Sequence, residues 1–332
     1  RNELWNDTPK DKNRRLAIFA VLGYALSTLD VLLHPVSPHL TEYLYQEVFL
    51  VGEWKHPLLL GDLPKHKLPT AVKAESEAVE FALQVEGACN SARVKAKLKR
   101  RWPLRSMAVF VSPEKSAQVK RAQKLISLLC NVKKVSFATK VSSLPISVTL
   151  TPNRSKIGAH FKEKTNDVLT TLKVLEGDEA WDLYRSGRPI EFTSAKGERL
   201  EVPLSAMEFN FSGTGDWEAA ARGETIVAIE KVRDEKLMAE GLVRDIARRL
   251  QALRKKRGYS PAALLEKAKV SGLDEETASM LAPMKKQLAF LVRVKSVEVL
   301  DEASRGDSLE WEEDELDGRT IYLDVTGGLV AG

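Results

Sequence analysis

The chain has 332 residues, 43% hydrophobic and 29% charged, with 19 glycines and 14 prolines; it exceeds one ordinary core and implies two or three domains of roughly 100 to 150 residues. This composition excludes wholesale disorder, two cysteines (Cys89 and Cys130) exclude a disulfide framework or a four-cysteine zinc site, and no secretory signal opens at Arg1, so a reducing, cytoplasmic setting is the default. The net charge of +5 hides an asymmetry: residues 301–332 hold ten acids and two bases, leaving 49 bases against 36 acids before them, a balance expected of a nucleic-acid-binding body with an acidic tail.

Residues 14–33 form a nearly continuous apolar run of membrane-spanning length, but Ser27, Thr28 and Asp30 interrupt it, and a helix buried in a bundle is the expectation. Pro35 and Pro38 stop it, and Ser37-Pro38 starts a second helix to about Phe49, with Ser37 as cap. Beyond a loop at 52–69, apolar residues at Val72, Val79, Ala82, Cys89 and Ala96 predict a long amphipathic helix that ends before Pro103. Residues 1–102 therefore read as helical.

The pattern then changes. Ala108 to Val111, Glu114 to Leu129 and Val132 to Phe137 read as strand, helix and strand. Ile146 to Leu150 follows as a strand, Lys162 to Lys173 as a helix, and Ile190 to Thr193 with Arg199 to Val202 as a hairpin around Ala195-Lys196-Gly197. Met207 to Phe211 and Thr225 to Ile229 suggest an antiparallel pair around Gly213-Thr214-Gly215. A strong helix over Asp234 to Arg257, another over Asp274 to Leu288, and strands at Val292 to Leu300 and Thr320 to Val325 complete the chain. No internal repeat is evident. The expected architecture is multidomain α and α+β: an antiparallel helical bundle over 1–104, an α/β domain over 105–206, and an α+β domain over 207–332 with the acidic tail.

Two cationic constellations stand out. On the helix from Asp234, Leu242, Ile246, Leu250 and Leu253 cluster on one side, while Arg244, Arg248, Gln251 and Lys255 line up opposite as a ladder suited to a phosphate backbone. A solvated face with cations at the C-terminal end of the dipole is the plainer alternative. The second, Arg93 to Arg105, has seven bases and no acid; helical spacing sets Arg93, Lys97 and Arg100 on one face and Lys95 with Lys99 on another. Arg101 adjoins Trp102, which either stacks on an unpaired base or anchors a domain junction. Gly213-Thr214-Gly215 lacks the rest of a phosphate loop, His34 and His39 lack further metal-ligand partners, Cys89 reads as a buried thiol, and no nucleophile with its base is present.

Three segments resemble the class I aminoacyl-tRNA synthetases. Leu32-Leu33-His34-Pro35-Val36-Ser37-Pro38-His39-Leu40-Thr41-Glu42-Tyr43-Leu44-Tyr45 is similar to the anticodon-binding helical hairpin, matching at Leu33, Pro35, Pro38, Glu42 and Tyr45 and departing at Val36 and His39. Lys97 to Leu104 and Glu240 to Lys255 resemble two stretches of the isoleucyl-tRNA synthetase family of archaeal and eukaryotic type. The resemblance implies a region that binds tRNA(Ile) through Arg93, Lys97, Lys99, Arg100, Arg101, Trp102, Arg244, Arg248, Gln251 and Lys255. It implies no catalytic residue, metal or cofactor within these residues: the His-Ile-Gly-His-like and Lys-Met-Ser-Lys-Ser-like motifs that serve ATP and Mg in the whole enzyme do not occur here. A monomeric C-terminal fragment that does not sit in a membrane and is not catalytic alone is the expectation. A free-standing RNA-binding module and a protein scaffold of a synthetase assembly are the rival readings.

Overall fold

A computed structural model describes residues 12–50, 57–58, 70–193, 197, 199–301 and 310–327. The predicted loop at 52–69, apart from Pro57 and Leu58, and the predicted turn at Ala195-Lys196 lie outside the described residues. The chain divides into two compact units, Arg1–Pro69 and Thr70–Gly332.

The first unit contains α1 (Lys12–Leu33), α2 (Pro38–Leu44) and a wider π-type turn, Tyr45–Phe49. Pro38 occupies the first turn of α2, where its missing N–H costs nothing, although the Ser37 hydroxyl makes no capping bond. Thr41 ties the hairpin together: its hydroxyl lies 2.8 Å from Nδ1 of His34 and donates to the Ser37 carbonyl at 3.0 Å. The Glu42 carboxylate accepts from Gln46 at 2.6 Å and from the Leu58 amide at 2.7 Å. The expectation that α1 is buried in a bundle is not met. Leu16, Phe19, Leu22, Leu26, Leu29 and Leu32 are exposed, and Asp30 is its one buried residue. Among the described residues, α1 is the one helix long and apolar enough to cross a membrane.

The second unit runs through α3 (Thr70–Lys95), β1 (Leu104–Phe110), α4 (Ser116–Cys130), β2 (Val132–Ala138), β3 (Ile146–Pro152), α5 (Arg154–Phe161), α6 (Thr165–Val174) and α7 (Gly177–Arg185). It continues with β4 (Ile190–Thr193), β5 (Arg199–Val202), β6 (Met207–Gly213), β7 (Trp217–Arg222), β8 (Thr225–Glu230) and α8 (Glu235–Lys256). The remaining elements are β9 (Leu265–Ser271), α9 (Glu275–Leu281), α10 (Lys285–Val292), β10 (Val294–Leu300), β11 (Glu312–Leu316) and β12 (Arg319–Thr326).

One module occurs twice. The first copy is α3, β1, α4, β2, β7 and β8, with strand order β2-β1-β8-β7; the second is α8, β9, α9–α10, β10, β11 and β12, with order β10-β9-β12-β11. In each, the first two strands are parallel and joined by helix, as a crossover between parallel strands requires, and a hairpin completes the sheet antiparallel. The registers correspond: Leu104 faces Val132 as Leu265 faces Val294, and Met107 faces Ile229 as Ala268 faces Val325. The long helices bury equivalent positions, Ala78, Ala82, Val85, Cys89 and Ala92 on α3 against Ala239, Val243, Ile246, Leu250 and Leu253 on α8. The absence of a repeat read from the sequence is therefore corrected. Between residues 81–111 and 242–272 only Arg93/Arg254, Lys95/Lys256, Leu104/Leu265 and Val109/Val270 are identical, because the fold asks only for apolar faces and one cap.

The first copy carries an insertion between β2 and β7. Its β3–β6 pair and β4–β5 hairpin enclose α5, α6 and α7 over a core that includes Ile157, Val168, Leu172 and Ala180. Two expectations change here. Met207–Phe211 pairs with β3, whereas Thr225–Ile229 sits between β1 and β7, so the two do not pair with each other. A boundary at 206/207 would cut through this closed excursion and separate β1 and β2 from the β7 and β8 strands of their own sheet. Likewise α3 packs its apolar face onto β1, α4 and β8 in one core, so the structure is mixed α and β from residue 70 onward. Pro283 splits the predicted helix at 274–288 into α9 and α10, as a ring that clashes with the preceding turn dictates.

Candidate nucleic-acid interface

Helical spacing placed Arg93, Lys97 and Arg100 on one face, and the structure corrects this. The helix ends at Lys95; Lys97 adopts the left-handed conformation at φ +55°, its amide bonding the Val94 carbonyl at 3.1 Å while the Leu98 amide returns to the Arg93 carbonyl at 2.8 Å. That is a left-handed C-terminal cap, which usually falls to glycine. The basic run past it is a connector leading into β1.

Arg93 is 2% exposed and therefore turned inward rather than presented on a surface. Its guanidinium donates to the carbonyls of Lys99 (3.0 Å), Trp102 (2.9 Å), Cys130 (2.8 Å) and Asn131 (3.4 Å). The last two are carbonyls at the end of α4, where the helix dipole is negative and a buried cation is compensated; that of Asn131 also accepts from the Leu104 amide at 3.0 Å. Burial lowers the pKa of Arg93, against neighbouring Cys89. Cys89 and Cys130 are both buried, and the hydrogen bond to Cys89 together with burial pushes the Cys130 thiol up.

Asp245 on α8 gathers the rest of the run. Arg101 Nε donates to its Oδ1 at 2.5 Å, Trp102 Nε1 to its Oδ2 at 2.9 Å, and Lys99 Nζ lies 3.9 Å away. Burial pushes this carboxyl up, but the bonds from Trp102 and Arg101 and the charges of Arg101 and Lys99 outweigh it and hold the pKa below the ordinary value. Lys99 also binds Asp317, and Arg100 binds Glu86. Trp102 is not free to stack on a base: the Arg233 guanidinium sits 3.8 Å from its ring centroid, and Gly241 approaches so closely that a Cβ there would lie 3.1 Å from the indole. The cleft beside it, of ≈ 290 Å³, is lined by Met238, Leu242, Met280 and Ile321 together with Asp274, Glu276, Asp317 and Arg319; Arg319 pairs with Asp274 and Lys99 with Asp317. The junction-anchor alternative for Trp102 is what the structure shows.

On α8 the ladder is divided. Asp234 caps the helix by accepting from the Leu237 amide at 2.9 Å. Arg244 is half-buried and donates to the Arg101 carbonyl at 3.3 Å and to Asn131. Gln251 is exposed and its amide bonds the Leu291 carbonyl at 2.7 Å, while Arg248 and Lys255 are exposed with no ion pair among the described residues. The buried face is wider than expected, taking in Val243, Asp245, Ala247 and Arg254 as well as Ile246, Leu250 and Leu253. Within the acidic tail, β11 and β12 form a hairpin that meets part of the positive charge at the end of this helix: Lys256 binds Glu312 at 2.6 Å, Arg249 lies 3.4 Å from Asp314, and Arg257 bonds buried Asp324 at 2.6 Å. Sequence reasoning missed Asp245 as the hub, since its partners Arg101 and Trp102 lie 144 and 143 residues away. Among the described residues no cluster of His, Cys, Asp or Glu is arranged to hold a metal.

Residues 1–108 match the protein family described as the anticodon-binding domain of tRNA ligase. Over most of its length the chain is homologous to isoleucine–tRNA ligases. It is 30% identical to that of Methanosarcina acetivorans over 257 residues, which is 75% of this chain and 24% of the relative. It is 27% identical to that of Methanopyrus kandleri over 249 residues (74% and 22%) and 26% identical to that of Pyrococcus furiosus over 318 residues (94% and 28%). The chain thus spans about a quarter of the length of the curated relatives it matches.

Proposed function

We propose that the chain binds tRNA, as the anticodon-binding and C-terminal region of an isoleucine–tRNA ligase whose whole protein attaches isoleucine to tRNA(Ile) with ATP, in the cytoplasm. The observation that carries this reading is the homology running from the anticodon-binding match at 1–108 through both modules, up to 94% of the chain in one relative. In this reading the helices of 1–104 approach the anticodon stem, and splayed bases are read by polar groups and stacking. Of the residues considered for contact, the exposed Lys97, Arg248 and Lys255 are suited to phosphates, whereas Arg93, Arg101 and Trp102 are committed to internal bonds and support the shape of the surface.

The test is binding of the chain to an isoleucine tRNA and to the same tRNA with an altered anticodon, across a salt series. The expected result is selective binding that weakens steeply with salt. Equal affinity for both would overturn anticodon reading, and no binding at low salt would overturn RNA binding altogether.

A further inference from the structure

From Lys115 to Lys162 the sequence holds ten Lys and Arg and no Asp or Glu, in a chain whose total excess is only five. Neither cationic constellation discussed above includes it. In the fold this segment opens with α4 and β2 of the first module. Lys120, Gln123, Lys124 and Ser127 recur at helical spacing and share one side of α4, flanking the face that buries Ala122, Ile126 and Cys130. Lys133 and Val135, two apart on β2, point to the same side of the sheet. Together these six line a groove of ≈ 350 Å³. Lys120 and Lys124 are exposed and make no ion pair among the described residues, while Lys133 bonds Glu240 at 2.6 Å.

The duplicated module provides an internal control. Residues 104–138 carry seven bases and one acid; the equivalent 265–300 carry six and five, with Lys295 and Lys267 paired to Glu266 and Glu298 at 2.6 and 2.7 Å. The same topology therefore forms without a cationic excess, so the fold does not require it. Two lysines four apart on a helix repel one another, which favours an anion between them. We infer that the α4–β2 groove of the first module is a binding site for the phosphate backbone of RNA, held by Lys120 and Lys124 with Lys133 at its rim. This rests on the tRNA-binding reading above and assigns part of the contact to α4 and β2, beside the N-terminal half of α8, where Lys133 meets Glu240. Lysines serve here as point charges for phosphate, so the site is indifferent to base sequence.

The experiment compares the whole chain with its Lys120→Ala/Lys124→Ala variant for binding to a tRNA transcript between about 50 and 200 mM salt. Arg248→Ala/Lys255→Ala serves as a parallel variant, thermal unfolding as the check on folding, and vesicles containing an anionic phospholipid as a second ligand. The expected result is an affinity loss of about tenfold and a log–log salt slope shallower by about two, equal for tRNAs of any anticodon. A double variant with the wild-type slope, while the wild-type chain binds tRNA, overturns the groove and leaves the tRNA-binding reading intact. A wild-type chain that binds no tRNA overturns both. Lysine-dependent binding to vesicles with unchanged tRNA affinity identifies a lipid-phosphate surface and overturns the RNA assignment.

Discussion

Arg93 and Arg254 occupy the same place in two copies of one module, 161 residues apart, and each spends its guanidinium on backbone carbonyls at matching positions. Arg93 reaches Lys99 and Trp102 along its own chain and Cys130 and Asn131 at the end of α4; Arg254 reaches Ser260 and Ala263 along its own chain and Val292 and Arg293 at the end of α10. Asn131 and Arg293 both close their helices in the left-handed conformation, at φ 52° and 58°. The clasp joins the long helix, the connector and the crossover helix at one buried point in each copy.

Replacing either arginine removes its donors from four carbonyls at once, of which Lys99 and Asn131 in one copy and Ser260 and Arg293 in the other keep a backbone partner. Arg93→Met and Arg254→Met should each cost about 3–5 kcal/mol. Lysine should rescue little, since one ammonium cannot reproduce the planar fork. Chemical denaturation of each variant measures this, and a loss below about 1 kcal/mol in both would remove the clasp from the stability of the fold.

The cap at the end of α3 holds Lys97 where its counterpart after α8 is Gly258, at φ 74°. A lysine there is strained and a glycine is not. Lys97→Gly should stabilise the chain by about 0.5–1 kcal/mol, and Gly258→Ala should destabilise it by about 1 kcal/mol. The pair of denaturation midpoints, moving in opposite directions, is the check.

Asp245 gives the second module an acid-sensitive anchor. Its folded pKa lies below the unfolded value, so its contribution is complete above about pH 4 and is lost as pH falls through the folded pKa. Asp245→Asn should flatten the stability-against-pH curve in that acid window while also weakening the neutral-pH fold, because Arg101 and Lys99 lose a counter-charge. Urea midpoints at a series of pH values from about 2 to 6 separate the two effects.

Cys89 and Cys130 are buried in the core of the first module and belong to its packing. In native buffer neither should react with a thiol reagent at a rate above that of global opening; both should react on unfolding. Rapid native labelling of either would contradict the packing described for α3 on α4.

What was legible in the sequence follows the range of the forces involved. The capped helix from Asp234 and the strand–helix–strand run through Leu104 to Ala138 are set by near neighbours and could be read. β11 is Glu-Glu-Asp-Glu-Leu, a poor strand on its own propensity, and forms because β12 pairs with it and because Lys256 and Arg249 on α8 meet its acids. The basic run at 93–101 looked available for RNA because its partners Asp245, Asp317 and Asn131 lie far along the chain. The same gap hid the duplication, which survives in hydrogen bonds and register more than in residue identity.

The strand order of the first module ends at β2, whose outer backbone has no further strand beside it among the described residues. Lys133 and Lys134 stand exposed on that edge, with Lys140 beyond it. An open strand edge invites another chain to pair with it, and charge along the edge is what keeps two such edges apart. The same lysines therefore govern colloidal behaviour: chemical neutralisation of their ammonium groups should lower the concentration at which the chain stays dispersed, with RNA absent from the solution.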